Sequence, residues 1–398
     1  MTNTEIIRKK NKFKLKHYIN YIIVGAAFLV FYILYEAGML NRVYINGLTQ
    51  ICYTIILAVS LNLVVGFLGE LSLGHAGFMC LGAYIGGLVY KILISSAGNL
   101  RALIIGMLVG GIVAAVFGFL IGLPALRLKG DYLAIVTLAF GEIVRSVIKN
   151  QVVFGGAGGM SVKRYGNTLF IVSFITLFIS LILIQNFIRS KHGRAVMAIR
   201  DSEIAARAMG VNATYYKLLV FSFSSMFAGI AGVLYTLNTG TASYSAFDYN
   251  KSIEILVIVV LGGMGSITGS IVAATFITVV SIQLQALGGN FAAVKNLIYA
   301  LILIVVMILN SAPALKPIKE KLNFHTLGGW IKDNLSVLFK KMFKVKTVDS
   351  GEISDSPEGV SWGVIPTKIK NEEIILSVDL DGTEETSQIG PDAGEEQK

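Results

Sequence analysis

Charge is scarce in this chain. Of 398 residues only 15% are Asp, Glu, Lys or Arg, against 54% hydrophobic ones, too few to cover the surface of a water-soluble domain. A soluble globular fold is excluded, and a mean hydropathy of +0.70 places the chain in a bilayer. Alternating ten-residue segments, the mark of a membrane β-barrel, are absent, so the spanning elements are expected to be helices. Cysteine is nearly absent: Cys52 and Cys80 sit in apolar runs without metal-type spacing and read as small buried hydrophobes. There is no G-x-x-x-x-G-K-[ST] phosphate loop, no metal-ligand cluster, and no nucleophile with a base beside it. Neither ATP hydrolysis nor chemistry on a substrate is expected of this chain, and no cofactor or metal. His17, His192 and His325 stand isolated.

What is present is a series of apolar runs of about 20 residues, the length that crosses a hydrocarbon core of roughly 30 Å. They fall at 21–40, 45–67, 76–93, 102–126, 132–148, 168–188, 218–237, 253–266, 270–287 and 294–309. The eighth is short. The first follows a basic head and lacks a small-residue cleavage site, so it is expected to be retained as a span. The fold expected is all-α and polytopic, with about 8–10 spans in two related halves.

Lysine and arginine set the expected orientation. The head carries Arg8, Lys9, Lys10, Lys12, Lys14 and Lys16; the loop at 189–217 carries Arg189, Lys191, Arg194, Arg200, Arg207 and Lys217; Lys316, Lys319 and Lys321 follow the last run. Six spans before the loop and four after it put all three regions in the cytoplasm, together with Arg127 and Lys129; Lys163 and Arg164 fall on the other side. Because the basic residues flank spans, the net charge of +10 points to lipid headgroups rather than nucleic acid. The expected organisation is a cytoplasmic head at 1–20, a membrane domain at 21–310, a basic segment at 311–346 and an acidic tail at 347–398. Ile331, Leu335, Leu338 and Met342 share a helical face opposite lysines, so that segment is expected to lie on the inner membrane surface. The tail reads as mostly disordered, with "TKIKNEEIILSV" as a patch able to form a strand on a partner.

Glycine interrupts two apolar runs in corresponding positions of the halves: "VVGFLGELSLGHAGFMCLGAY" at 64–84 and "LVIVVLGGMGSITGSIVAA" at 256–274. Paired breaks of this kind line transport pathways; close helix packing through small residues is the competing reading. The pathway candidates are Glu70, Ser72, His75 and Gly77 in the first segment, Gly262, Gly263 and Gly265 in the second, and Glu142 between them.

The one long polar stretch between spans is "AIRDSEIAARAMGVNATYYK" at 198–217. Asp201 or Ser202 can cap a helix there, Glu203 suits its first turn, Gly210 is placed to end it, and Asn212 can cap the next span. A helix of about two turns is not stable alone and needs a partner surface. Ala205, Ala206 and Gly210 offer small side chains to that partner.

"EIAARAMG" resembles the coupling helix of ABC importer permeases, which inserts into a groove on a cytosolic ATPase; here an Ile separates Glu203 from the alanine pair. With it stand "GELSLGHAGFMCLGAY", "GDYLAIVTLAFGEIVR" and "SIEILVIVVLGGMGSITG". In this order the blocks resemble the branched-chain amino acid ABC permease family, LivM-type branch, over roughly 21–309. The resemblance implies a bacterial or archaeal-type cell membrane, import of hydrophobic amino acids, and ATP and Mg²⁺ used by other subunits. The partners it implies are a homologous second permease, two cytosolic ATP-binding subunits and an external substrate-binding protein. It assigns ATPase coupling to the loop, with Arg200, Asp201, Glu203, Ala205, Ala206 and Gly210 as its residues. The acidic tail lies outside the family pattern.

Ionisable residues at membrane depth are functional candidates because lipid disfavours them. Glu142 and Arg145 are spaced to share a helical face, which favours a structural ion pair over substrate contact. Glu254 opens a run beside Lys251, either as an interfacial residue or as an outer gate or binding-protein contact. Glu70 and His75 face a pathway if their segment re-enters the bundle, and water if it is a plain turn. "NAT" at Asn212 falls on the cytoplasmic side, so glycosylation is discounted. Two competing functions remain: a permease in the same family for urea, amides or another small polar solute, and an ion-coupled secondary transporter, which would need titrating carboxylates and no ATPase.

Overall fold

The computed structural model describes residues 21, 24–37, 41–128, 130–286, 301 and 304. The basic head, the ends of the first run, Lys129, all but residues 301 and 304 of the tenth run, the amphipathic segment and the acidic tail with its strand patch lie outside the described residues.

Within them the chain is an all-α, polytopic membrane protein. A helix stands at each of the first nine apolar runs: α1 Val24–Glu36, α2 Arg42–Leu68, α3 His75–Ser96, α4 Asn99–Ala125, α5 Asp131–Asn150, α6 Leu169–Arg189, then α9 Ala213–Thr239, α10 Tyr249–Gly262 and α11 Ile267–Ala286. Five of these, α2, α3, α4, α6 and α9, are long and apolar enough to cross a membrane. α10 has 14 residues, about 21 Å at the helical rise, which explains the short eighth run. The polar stretch holds two helices rather than one, α7 Lys191–Asp201 and α8 Glu203–Ala208. The only sheet among the described residues is an antiparallel pair, Met160–Ser161 with Thr241–Ala242.

α2 is the axis of the bundle, with 94% of its most apolar window buried; α6, α9, α10 and α11 pack around it. A β-carbon on Gly82 of α3 would lie 2.1 Å from the Gly229 carbonyl oxygen of α9. The two backbones therefore touch, the small-residue packing that replaces hydrophobic burial inside a membrane. α4 rests on the other side of α9 and turns most of its surface outward, with only 28% of its apolar window buried.

Candidate functional site: the polar loop and two broken helices

The first break begins inside α2. Its last six residues, Leu63–Leu68, are wound as a π turn, which loosens the carbonyl ladder, and Gly69 ends it in the left-handed region at φ 81°. The chain from Gly69 to Gly74 is not helical, and it does not lie as a solvated turn. His75 Nε2 is 2.9 Å from Ser60 Oγ, a residue roughly 12 Å back along α2 from Leu68 at the helical rise. The segment climbs back into the bundle, and α3 starts there. Backbone N–H groups just before and inside its first turn are met by side chains of other helices: Leu73 N donates to Thr137 Oγ1 at 3.0 Å and Ala76 N to Ser252 Oγ at 3.1 Å, satisfying donors that lipid could not.

The second break is a tight turn between α10 and α11, with Gly263 at φ 88° and Gly265 at φ 79°. After it α11 runs back along α2, Ser270 beside Asn62 and Ile282 against Gly47. α10 and α11 thus form a hairpin whose tip meets the first break. A β-carbon on Gly66 would lie 2.1 Å from Gly265 N, so the two breaks touch backbone to backbone. Asn62 ties them together: its Oδ1 accepts from Gly265 N at 2.9 Å, and its Nδ2 donates to Ser266 O at 3.1 Å and Ser270 Oγ at 2.9 Å.

The polar loop is attached to this junction at two points. Arg200, at the end of α7, lays its stem against Gly69 and donates from Nη1 to the Gly66 carbonyl at 3.1 Å, an acceptor lying within the π turn. Asp201 holds the opposite edge of the guanidinium through Nε and Nη2, at 3.1 and 2.9 Å. At the second point Lys217 Nζ is shared by Glu70, at 2.5 Å, and Glu203, at 3.1 Å. The lysine side chain is 5% exposed and that of Glu70 13%. Glu203 also pairs with Arg207 along α8.

The caps of the loop follow its residues. Ser190 Oγ accepts from His192 N and Gly193 N to start α7, Ser202 Oγ accepts from Ala205 N to start α8, Gly210 ends that helix at φ 80°, and Asn212 Oδ1 caps α9 through Tyr215 N. The outer surface of α8 differs from the expected small-residue face. Ala206 is turned inward and buried, while Ala205 and Gly210 are exposed between two large apolar side chains, Ile204 and Met209, each 84% exposed.

The remaining candidates make no contact with Asn62, Arg200 or Lys217 among the described hydrogen bonds and ion pairs. Ser72 is buried. Gly77 is a packing residue whose β-carbon would strike Gly141 of α5. Gly262 faces Gly269 across the hairpin, so that a β-carbon would meet the Gly269 carbonyl carbon at 2.5 Å. Glu142 pairs with Arg145 at 3.0 Å and accepts from Tyr249 N at 3.1 Å, which ties α5 to the start of α10. Glu254 pairs with Lys251 at 3.0 Å. At the end of the bundle away from the loop, Arg42, Asn46, Arg164, Asn167 and Asn238 line a polar cavity of about 440 Å³. Among the described residues no group of three or more His, Cys, Asp or Glu could hold a metal ion.

Asn62 and Lys217 carry the junction, yet reading carboxylates and glycines alone passes over Asn62. Its signal is an amide deep in the 45–67 run, with apolar residues on both sides, where lipid disfavours any unpaired polar group.

The sequence matches a family of permeases. Residues 43–307 match the family described as branched-chain amino acid transport system / permease component. Over 275 residues the chain is 37% identical to the high-affinity branched-chain amino acid transport system permease protein LivM of Salmonella typhimurium, covering 61% of this chain and 63% of that protein. The LivM protein of Escherichia coli K12 matches with the same identity and coverage. A probable branched-chain amino acid transport permease protein LivM of Methanocaldococcus jannaschii is 27% identical over 58% of this chain and 78% of that protein. The match spans less than two thirds of the length of the two bacterial relatives. With a family match over most of its membrane-embedded length, the chain belongs to the branched-chain amino acid transport system permease component family.

Proposed function

We propose that this chain is the membrane-spanning permease subunit of an ATP-binding cassette importer. It passes branched-chain or other hydrophobic amino acids, delivered by an external substrate-binding protein, across a cell membrane; a homologous second permease completes the passage. Two cytosolic subunits bind ATP with Mg²⁺ and drive it. On this reading the loop end of the bundle is cytoplasmic, and the cavity of Arg42 and Arg164 opens on the outer side, where Glu254 and the binding protein also belong.

The observation that carries the reading is the wiring of α8. An exposed helix with two apolar knobs, Ile204 and Met209, has no reason to sit in water unless a partner groove receives them. The same helix is joined through Glu203, Lys217 and Glu70 to the first broken helix. A push on α8 therefore reaches the elements able to open a passage. An ion-coupled transporter would instead want an intramembrane carboxylate free to change its proton. Glu70, Glu142 and Glu254 are each engaged by a cation.

The test is gentle affinity purification of the tagged chain from its native membranes, followed by mass spectrometry. Recovery of a second permease and ATP-binding subunits, reduced for the Gly210→Leu variant, is the expected result. A chain that purifies alone and still transports in vesicles without ATP overturns the proposal.

A further inference from the structure

Two broken helices that have to move in concert need a joint between them, and the contacts around Asn62 have the form of one. Its side chain is fully buried and all three of its described hydrogen bonds go to the other break: Gly265 N, Ser266 O and Ser270 Oγ. Such a buried amide is costly unless satisfied, so it holds its three partners as one unit. A leucine of similar size would pack there without holding anything.

The joint is continuous with the loop. Gly66, one helical turn beyond Asn62, presses its backbone on Gly265 and gives its carbonyl to Arg200. A β-carbon on Gly265 would come within 3.7 Å of Arg200 Nη1. The end of α7, the π turn of α2 and the tip of the α10–α11 hairpin thus meet around one guanidinium and one amide. Among the described residues the tip has no comparable hold on its far side: only Ser266 of the same turn lies within 4 Å of a β-carbon on Gly263, and Met264 is 62% exposed.

We propose that Asn62 is the positioning residue that makes the second break follow the first. Displacement of the coupling loop reaches α2 through Arg200, and the tip at Gly263–Ser266 is drawn along by the amide. Without Asn62 the loop would still move the first break while the tip lagged. This rests on the importer reading, because it assumes that the loop is the driven element.

The experiment uses the complex purified with its partner subunits and reconstituted in vesicles, with ATP hydrolysis and ¹⁴C-leucine uptake measured on the same preparation. For Asn62→Leu the expected result is hydrolysis within about threefold of the parent and uptake per ATP lowered tenfold or more. Asn62→Asp keeps the acceptor for Gly265 N and loses both donors, so its ratio falls between. If uptake and hydrolysis fall together with an unchanged ratio, Asn62 is only a packing residue and the proposal is overturned.

Should Asn62→Leu fail to assemble, Ser270→Ala removes one contact of the three and is expected to lower the ratio severalfold; an unchanged ratio there overturns the proposal. A spin label on Met264→Cys gives a second readout. Its mobility should change on adding ATP in the parent and stay constant in the Asn62→Leu background, and an equal change in both overturns the joint. A complex that moves leucine without ATP would sink the importer reading instead. The label's response to substrate alone would then still show whether the tip depends on Asn62.

Discussion

The two broken segments are built on opposite principles. The first, from Leu63 to Gly74, is held from every side: Arg200 on the Gly66 carbonyl, Thr137 on the Leu73 N–H, and Lys217 on Glu70. The second, Gly263 to Ser266, is a bare turn. Two left-handed glycines shape it, and one side chain from outside, Asn62, supplies its described hydrogen bonds to other helices. A segment held by several charged and polar contacts transmits force, whereas one held through a single amide and one backbone contact follows the element that carries them. On the proposed mechanism the first break receives the motion of the loop and the second follows it.

The comparison is broken most severely at Gly66. A β-carbon there would lie 1.9 Å from Asn62 Oδ1 and 2.1 Å from Gly265 N, and neither backbone nor a fully bonded amide can yield. Gly66→Val should abolish a folded, detergent-soluble chain, read as loss of the monodisperse peak in size-exclusion chromatography. Gly263→Ala meets only open space beyond its own turn and bears the strain of φ 88°, about 1–2 kcal/mol, so it should fold with a modestly lowered melting temperature. Equal damage at the two glycines would erase the distinction drawn between the breaks.

Next in size is Lys217→Met. It leaves Glu70 and Glu203 facing each other without their shared cation, and removing one partner from a buried pair costs about 3–5 kcal/mol. Because the Glu203 side chain is 21% exposed, a value near 2–3 kcal/mol is expected. Adding Glu70→Gln to the same chain should recover part of it by removing one unpaired charge. A double variant no more stable than the single one would mean that the lysine acts by packing its stem rather than by charge.

The helices were legible because lipid enforces one solution, a run of apolar residues with its backbone bonds closed. The loop was legible because its caps, Ser202, Gly210 and Asn212, are local chemistry. What composition could not convey was direction. Ala205 and Ala206 are adjacent and alike, yet one faces outward and the other is buried, a consequence of where α8 lies on the bundle. Arg200 carries the same ambiguity: the family resemblance assigns it to a contact with another subunit, yet part of its guanidinium is turned toward Gly66. The junction itself joins residues about 200 apart, Asn62 to Gly265, Ser266 and Ser270, and spacing along a chain says nothing of such pairings. The first glycine-rich segment showed that a helix breaks; only its contacts with Ser60 and Ser252 reveal that the chain re-enters the bundle there.

Gly210→Leu comes third. At φ 80° with nothing among the described residues within 4 Å of a β-carbon, the change costs about 1 kcal/mol of backbone strain and meets open space at its β-carbon. Membrane insertion should be unaffected, while ATP-driven uptake by the complex falls. Normal uptake in this variant would remove the turn after α8 from the coupling surface.

The smallest effect on the chain itself belongs to Ile204→Ser. With 84% of the residue exposed, the stability of the chain should hold within about 0.5 kcal/mol, as for surface substitutions in general. Yet if Ile204 and Met209 are the knobs that enter a partner's groove, burying a side chain of that size contributes about 1.5–3 kcal/mol to the association, and losing it should weaken capture of the ATP-binding subunits by roughly tenfold or more. Stability unchanged with capture reduced separates a docking surface from a lipid-facing one. Capture unchanged would turn the two knobs toward the membrane and leave Glu203 and Arg207 to face the partner.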